Sequence, residues 1–419
     1  MKSKIINIIH HTFAYEYVKN DARPGINWDT HDGNWVGIWR GNWSDILGSE
    51  ILKITDRFIY EVWLPDLRAD KIHEYKFENT LTIKIFPANH IFRNHGFKVN
   101  KFISSNAMIE QLKTEIIKYN VILHLNCDPL LPLAYNIISH FKATPIILSL
   151  HSDVKSPHEL ISKPRLNVLS TFNYLLQLFK LRRILKYINA ITYQNNRHSR
   201  YLKIIGYSGL SKELTMGCDF DFWKPGDKVH VKSTLGISTD TFVISMASRF
   251  NELKQIDKVI KVLTMIDKHD EFNFVLLVAG HGEKNYEHYL VNCAFNLIAK
   301  KKIRFLGYTS GEDMLKVYQG SDLFISASTS EGCSVSVIKA LACEVPVFST
   351  KVGGTYDLMK EKKVGILVDI NDFSEWKMQL SKILSGYKIE ILDRELAKAK
   401  FHWPNIARNF IELYNHCAK

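Results

Sequence analysis

Arg249 and Lys254 stand five positions apart in Ser248-Arg249-Phe250-Asn251-Glu252-Leu253-Lys254, after an apolar run that reads as a strand and before a helical period. Two cations around a loop that opens a helix can grip a diphosphate, and the helix amino terminus adds its own positive dipole. Taken alone, the pair reads equally as two solvated surface cations. Later, Ser328-Thr329-Ser330-Glu331-Gly332-Cys333-Ser334-Val335 puts a carboxylate and a glycine after another strand-like run, followed by small residues at the start of a helix. A carboxylate there can accept hydrogen bonds from sugar hydroxyls, while the backbone N–H groups of Gly332, Cys333, Ser334 and Val335 can serve a phosphate. The plainer alternative is a helix cap by Ser330 or Glu331.

Three further clusters follow predicted strands or interrupt them. Gly280-His281-Gly282 suits a tight turn with close backbone approach, but Asn285 occupies the third glycine position of a dinucleotide fingerprint. His124, Asn126 and Asp128 close one strand of the first half, and His151 directly follows the next. Between His10 and Trp43, the residues Gly25, Gly33, Gly37 and Gly41 alternate with Trp28, Trp35, Trp39 and Trp43. Aromatic rings in a polar loop can stack on sugar faces, or can simply pack beneath the loop.

These residues need elements to hold them. Strand-like runs at Ile5 to His10, Phe58 to Leu64, Val121 to Leu125 and Pro145 to Leu150 alternate with helical stretches such as Trp43 to Leu52. The pattern restarts at Phe242 to Ala247, Phe274 to Ala279, Ile303 to Leu306, Leu323 to Ser326, Val345 to Phe348 and Gly365 to Val368. Helical stretches at Gln255 to Asp267, Glu312 to Gln319 and Val337 to Cys343 lie between these strands. Such alternation implies α/β layers on mainly parallel sheets, in which ligands bind beyond the carboxyl ends of strands. Turn formers cluster in Met216 to Asp227, so two doubly wound domains are expected to meet there: residues 1–215 and 216–401.

In this order and spacing the segments resemble the retaining glycosyltransferases of family four, also called glycosyl transferases group 1. Their GT-B fold has two Rossmann-like domains facing across a cleft. Arg249 with Lys254 matches the family's diphosphate-binding R-x4-K. Gly280-x-Gly282, the strand ending at Gly307, the S-x-x-E-G of Ser328, Glu331 and Gly332, and Val352-Gly353-Gly354-Thr355 fall at the family's spacings. Met216 to Pro225 is similar to its interdomain linker, and Phe401-His402-Trp403 to the F-x-W that opens a last helix, about 402–419, crossing back to the first domain. The resemblance covers nearly all of residues 190–419 and weakens before that.

The resemblance implies transfer of a sugar from a nucleotide-diphosphate sugar, UDP- or GDP-linked, to a hydroxyl of a glycan or lipid-linked acceptor, with retention. It implies no metal and no cofactor. The first domain would hold the acceptor and the second the donor, with His151, Arg249, Lys254 and Glu331 at the reacting sugar and Gly280, Gly282, Gly332, Cys333, Ser334, Val335 and Lys339 along the nucleotide. Lys339 departs from the pattern. The family has E-x7-E, and a lysine has three donors and no acceptor for the ribose hydroxyls. A degenerate or non-catalytic nucleotide-sugar binder would account for that change, and a GT-B sugar-nucleotide epimerase is a second rival.

Composition narrows the class. With 419 residues, 46% of them apolar and 23% charged, the chain is neither a collagen, a coiled-coil rod nor a disordered tail. Six cysteines with no C-x-x-C pair indicate neither a zinc ribbon nor a disulfide scaffold, which fits a reducing, cytoplasmic setting. No secretion signal is read at the amino terminus, and the uncharged run Leu166 to Phe179 is too short to span a bilayer. Of the net charge of +12, residues 1–215 carry +10. Within 155–203, ten cations face one carboxylate, Glu159, and flank Leu166, Leu169, Phe172, Leu176, Phe179 and Arg183 near helical spacing. That suits an interfacial helix on anionic lipid, or a core helix with a solvated basic end. No nucleic-acid motif accompanies the charge.

Overall fold

The computed structural model describes residues 2–9, 27–29, 36–38, 43–77, 81–95, 98–151, 168–269, 271–309 and 311–418. The chain divides into two compact units, Met1–Thr215 with Trp403–Lys419, and Met216–His402.

In the first unit the strands are β1 (Ser3–Ile9), β2 (Asn27–Asp29), β3 (Val36–Ile38), β4 (Phe58–Asp66), β5 (His73–Lys76), β6 (Thr82–Pro87), β7 (Asn89–His95), β8 (Lys98–Ser104), β9 (Asn120–Asn126), β10 (Ile146–Ser149), β11 (Ala190–Tyr193) and β12 (Leu210–Glu213). Eight form one sheet in the order β12-β11-β10-β9-β1-β4-β6-β5, parallel except for β5. β1 is buried along nearly its whole length, as expected of a central parallel strand covered on both faces. Strand order runs β1-β4-β6 to one side and β9 to β12 to the other, so the topological switch lies between β1 and β9. The carboxyl end of β9 therefore sits where such folds bind ligands.

The second unit repeats the plan with β13 (Phe242–Ala247), β14 (Phe274–Ala279), β15 (Ile303–Gly307), β16 (Leu323–Ser326), β17 (Val347–Thr350) and β18 (Ile366–Val368). All are parallel, in the order β15-β14-β13-β16-β17-β18. Here the switch falls between β13 and β16, and both loops singled out for their chemistry follow one of these two strands. Ile256, Val259, Ile260 and Leu263 of the helix Ile256–Ile266 pack on one face of this sheet, and Val337, Ile338 and Leu341 of Val335–Ala342 on the other.

The helix Trp403–Cys417 packs within the first unit, with Ile406, Phe410, Leu413 and Tyr414 against Leu47, Ile51 and Tyr60. His402, one residue earlier, belongs to the second unit and bridges to Cys218 of the Met216 to Asp227 segment. Among the described residues no helix is long and apolar enough to cross a membrane. Most of the glycine and tryptophan loop His10 to Trp43 lies outside the described residues, as do residues 155–167 of the basic segment.

Candidate active site

Arg249 and Lys254 leave β13 on a loop stapled by short-range backbone bonds. Ser248 N–H donates to the Ala279 carbonyl at 3.1 Å and Phe250 N–H to His281 at 2.8 Å. That contact explains the two glycines. A Cβ at Gly280, where φ is +134°, would meet the Ser248 carbonyl oxygen at 1.8 Å, and one at Gly282 would meet that of Phe250 at 2.0 Å. Gly280 and Gly282 thus let the chain after β14 lie against the loop that carries Arg249. Arg249 is exposed, whereas Lys254 is mostly covered at the end of the 3-10 turn Glu252–Lys254.

Glu331 follows β16. Its Oε1 is paired with Lys254 Nζ and accepts from Ser328 Oγ at 2.8 Å. Thr329 N–H donates to the Leu253 carbonyl at 2.8 Å, tying the two loops together a second time. A third loop buttresses the carboxylate. Gly353, with φ +78°, brings its Cα side within 2.9 Å of Glu331 Cβ for any added Cβ, and Gly354 N–H donates to the Gly332 carbonyl at 2.8 Å. Cys333 and Ser334 are buried, and Ser334 precedes the first turn of Val335–Ala342. The first N–H groups of a helix have no intrahelical partner, so positive partial charge lies next to Glu331 and Lys254.

Lys339 lies further along that helix, half-buried, with Nζ 4.3 Å above the Trp223 ring. Burial pulls its pKa below that of an ordinary lysine, while the Cys218 and Cys343 thiols act in the opposite sense. Those thiols are themselves buried and pushed up to about 12. Burial thus disfavours the charged form of the amine and of both thiols.

In the first unit, His151 Nε2 lies 3.1 Å from Asn126 Oδ1 and Nδ1 lies 2.9 Å from Gln194 Nε2. Trp43 covers the ring at a centroid distance of 4.3 Å. Burial and then the neighbouring His198 press its pKa down to about 3, so the imidazole is neutral at physiological pH. His124, the other histidine singled out, bonds Tyr414 Oη and Ser149 Oγ, each at 2.7 Å, and is likewise pressed to about 3 by burial. It is a core residue whose ring nitrogens are both engaged. Sequence reading passed over Gln194, although its place just beyond β11 is of the same kind as that of His151 beyond β10.

The structure thus gathers Arg249, Lys254, Glu331, Gly280, Gly282, Gly332, Cys333, Ser334 and Val335 around the switch point of the second unit. Lys339 lies on the helix that opens there. Among the described residues no group of three or more His, Cys, Asp or Glu side chains is placed to hold a metal ion.

Residues 228–402 match the family described as glycosyl transferases group 1. The D-inositol 3-phosphate glycosyltransferase of Corynebacterium urealyticum is 28% identical over 211 residues, 48% of this chain and 50% of that protein. That of Corynebacterium jeikeium is 30% identical over 209 residues, 47% and 50%. The matched region thus spans about half the length of these curated relatives. Sucrose-phosphate synthase of Thermosynechococcus elongatus has a similar structure, with a TM-score of 0.70 at 15% identity over 99% of both chains. Anabaena HepE, solved in complex with UDP and glucose, gives 0.62 at 15% identity over 99% of this chain and 100% of its own. The fold is GT-B, as the resemblance of the motifs implied.

Proposed function

We propose that this chain, whose residues 228–402 belong to the glycosyl transferases group 1 family, is a glycosyltransferase that takes its sugar from a nucleotide-diphosphate sugar. The observation that carries the proposal is the meeting of the Lys254 ammonium and the Glu331 carboxylate at the switch point of the second sheet, with Arg249 on the same loop. A cation pair for the diphosphate adjoins an acceptor for sugar hydroxyls, and a helix amino terminus adds to the positive field. Such an arrangement can supply electrostatic stabilisation of a leaving diphosphate. In the reaction the bond from the anomeric carbon to the diphosphate oxygen breaks and one to the acceptor oxygen forms. The acceptor's proton passes to the leaving phosphate.

The finer reading is retention at the anomeric carbon, without a metal, from a UDP- or GDP-sugar. His151 contacts the donor sugar, and Gly332 to Val335 with Lys339 line the nucleotide. A neighbour of the same fold solved with UDP and glucose supports the UDP-sugar option. The acceptor is a glycan or a lipid-linked sugar, held by the first unit, in the cytoplasm. The helix Val168–Leu185 favours a lipid-linked one: Leu175, Leu176 and Phe179 are exposed beside Lys180, Arg183 and Lys186, as on a surface resting on anionic lipid.

Thermal shift against uridine, guanosine and adenosine diphosphates and their sugars, with and without EDTA, tests the donor reading. One nucleotide should stabilise the protein independently of metal, and that shift should vanish in Arg249→Ala and Lys254→Ala. No shift with any nucleotide would sink it. Sedimentation with phosphatidylglycerol vesicles, lost in Phe179→Ser, tests the membrane contact. A non-catalytic binder is the second reading, favoured by Lys339, and would show the thermal shift with neither transfer nor donor hydrolysis.

A further inference from the structure

We infer that Gln194 is a positioning residue that fixes His151 as a neutral imidazole with its proton on Nε2, so that His151 acts as a hydrogen-bond donor and not as a base. This rests on the proposed contact between His151 and the donor sugar, but its structural half stands apart from it.

Both ring nitrogens are assigned by their partners. Gln194 is buried, and its Nε2 lies 2.9 Å from His151 Nδ1. An amide nitrogen has only protons to offer, so Nδ1 must be the unprotonated acceptor. Nε2 then carries the proton and donates to Asn126 Oδ1 at 3.1 Å. Asn126 is locked in that sense from its other side, because its Nδ2 donates to Asn7 Oδ1 and Asn7 Nδ2 donates in turn to Tyr60 Oη at 2.5 Å. The polarity of the chain from Tyr60 to Asn126 agrees with that imposed by Gln194.

Gln194 owes its place to strand register. Ser149 pairs with Thr192, and Leu150 N–H donates to the Thr192 carbonyl at 2.9 Å, which sets the residues after β10 beside those after β11. Gln194 N–H also lies 3.3 Å from His198 Nδ1, anchoring the backbone at the start of the helix Asn196–Ile205. Among the described residues, the titratable groups facing the ring are His198 on that helix and His124 on β9, both imidazoles, and Trp43 closes it from the helix Trp43–Ile54. A neutral amide in place of a carboxylate leaves nothing among these groups to stabilise an imidazolium. When a sugar oxygen replaces Asn126 as the acceptor, the Nε2 proton is already aimed.

The test is nitrogen NMR of the full chain labelled with ¹⁵N-histidine, the His151 signals being those lost in His151→Gln. The expected result is a protonated Nε2 and an unprotonated Nδ1 that do not titrate between pH 5 and 8. A proton on Nδ1, or a ring that titrates in that range, overturns the inference, and this measurement needs no variant at Gln194. In Gln194→Glu the carboxylate should move the proton to Nδ1 and raise the pKa of the ring. Transfer or donor hydrolysis should then fall about tenfold per pH unit above the new pKa, where Nε2 has lost its proton, and recover below it, where the imidazolium donates again, with kcat affected more than KM. An unchanged tautomer in Gln194→Glu overturns the role of Gln194. A changed tautomer with an unchanged pH profile leaves the assignment standing and overturns the contact between His151 and the donor.

Discussion

Lys254 and Glu331, 77 residues apart, share an ion pair to which Ser328 contributes a hydrogen bond. A cation suited to phosphate and a carboxylate suited to sugar hydroxyls are thereby held in contact, each limiting the other's freedom before any ligand arrives. On the proposed function, donor binding divides the pair between diphosphate and sugar.

That division makes the two partners separable by experiment. Lys254→Ala should abolish most of the stabilisation by the nucleoside diphosphate alone and lower kcat/KM by about 10²-fold or more, the usual cost of removing a group that meets developing charge. Glu331→Gln keeps the shape and the Ser328 contact. It should leave nucleoside diphosphate binding near that of the parent and reduce kcat with the full nucleotide sugar. Isothermal titration with nucleotide beside steady-state kinetics checks both.

The glycine pair predicts a structural failure with a local signature. In Gly280→Ala the new methyl would sit 1.8 Å from the Ser248 oxygen, and in Gly282→Ala 2.0 Å from that of Phe250. Backbone cannot yield as a side-chain tip can, and overpacking of this kind costs about 1–3 kcal/mol or more. Both variants should melt several degrees lower than the parent and lose nucleotide binding, because the displaced loop carries Arg249. Gly236→Ala, with nothing within 4 Å of the new methyl though at φ +62°, should lower the melting temperature while leaving nucleotide affinity unchanged.

How much of this could be read beforehand depended on what each residue's role needed. Phe274 to Ala279 is an unbroken apolar run buried throughout a parallel sheet, and Phe242 to Ala247 is interrupted by Ser245 alone and buried except at its ends, so both were legible as strands. β12 is mostly exposed, carries Leu-Ser-Lys-Glu and pairs with β11 at the edge of the sheet, so no hydrophobic period marks it. β5 alternates polar and charged residues on the antiparallel edge, for the same reason. Arg249, Lys254 and Glu331 could be singled out because each lies in a loop that follows a strand. The bond between Gln194 and His151 was not, because it depends on the register of β10 against β11, and register is decided by the assembled sheet.

Acidification should destabilise the first unit through its histidines. His124 and His151 are pressed to about 3 in the fold, against 6.5 in an unfolded chain, so below pH 6.5 the unfolded state binds more protons than the native one. The stability they contribute is complete above pH 6.5 and is lost progressively as pH falls toward 3. Melting temperature measured from pH 8 to pH 4 should therefore fall, and should fall less steeply in His151→Gln, which keeps polar atoms at the ring position without the titration. A slope identical to the parent's in that variant would show that His151 is not held neutral.

Lys339 offers the last test, because it separates a transferase with altered nucleotide recognition from a degenerate one. Its ammonium has burial and the Trp223 ring for surroundings, and the ribose oxygens of a bound nucleotide would meet a donor where relatives by motif supply a carboxylate. Lys339→Glu restores two acceptors at that position. Since a hydrogen bond to a charged group contributes about 1.5–3 kcal/mol, an active parent should yield a variant with roughly tenfold or greater tightening for a nucleoside diphosphate and little change for the corresponding base-free sugar diphosphate. Lys339→Met, which fills the space above Trp223 without charge, should bind nucleotide about as the parent does if the lysine only packs, and more weakly if it donates to the ribose. Titration of the three proteins with the same nucleotide distinguishes these cases. Tightening in Lys339→Glu without any gain in turnover would assign the chain to nucleotide-sugar binding alone.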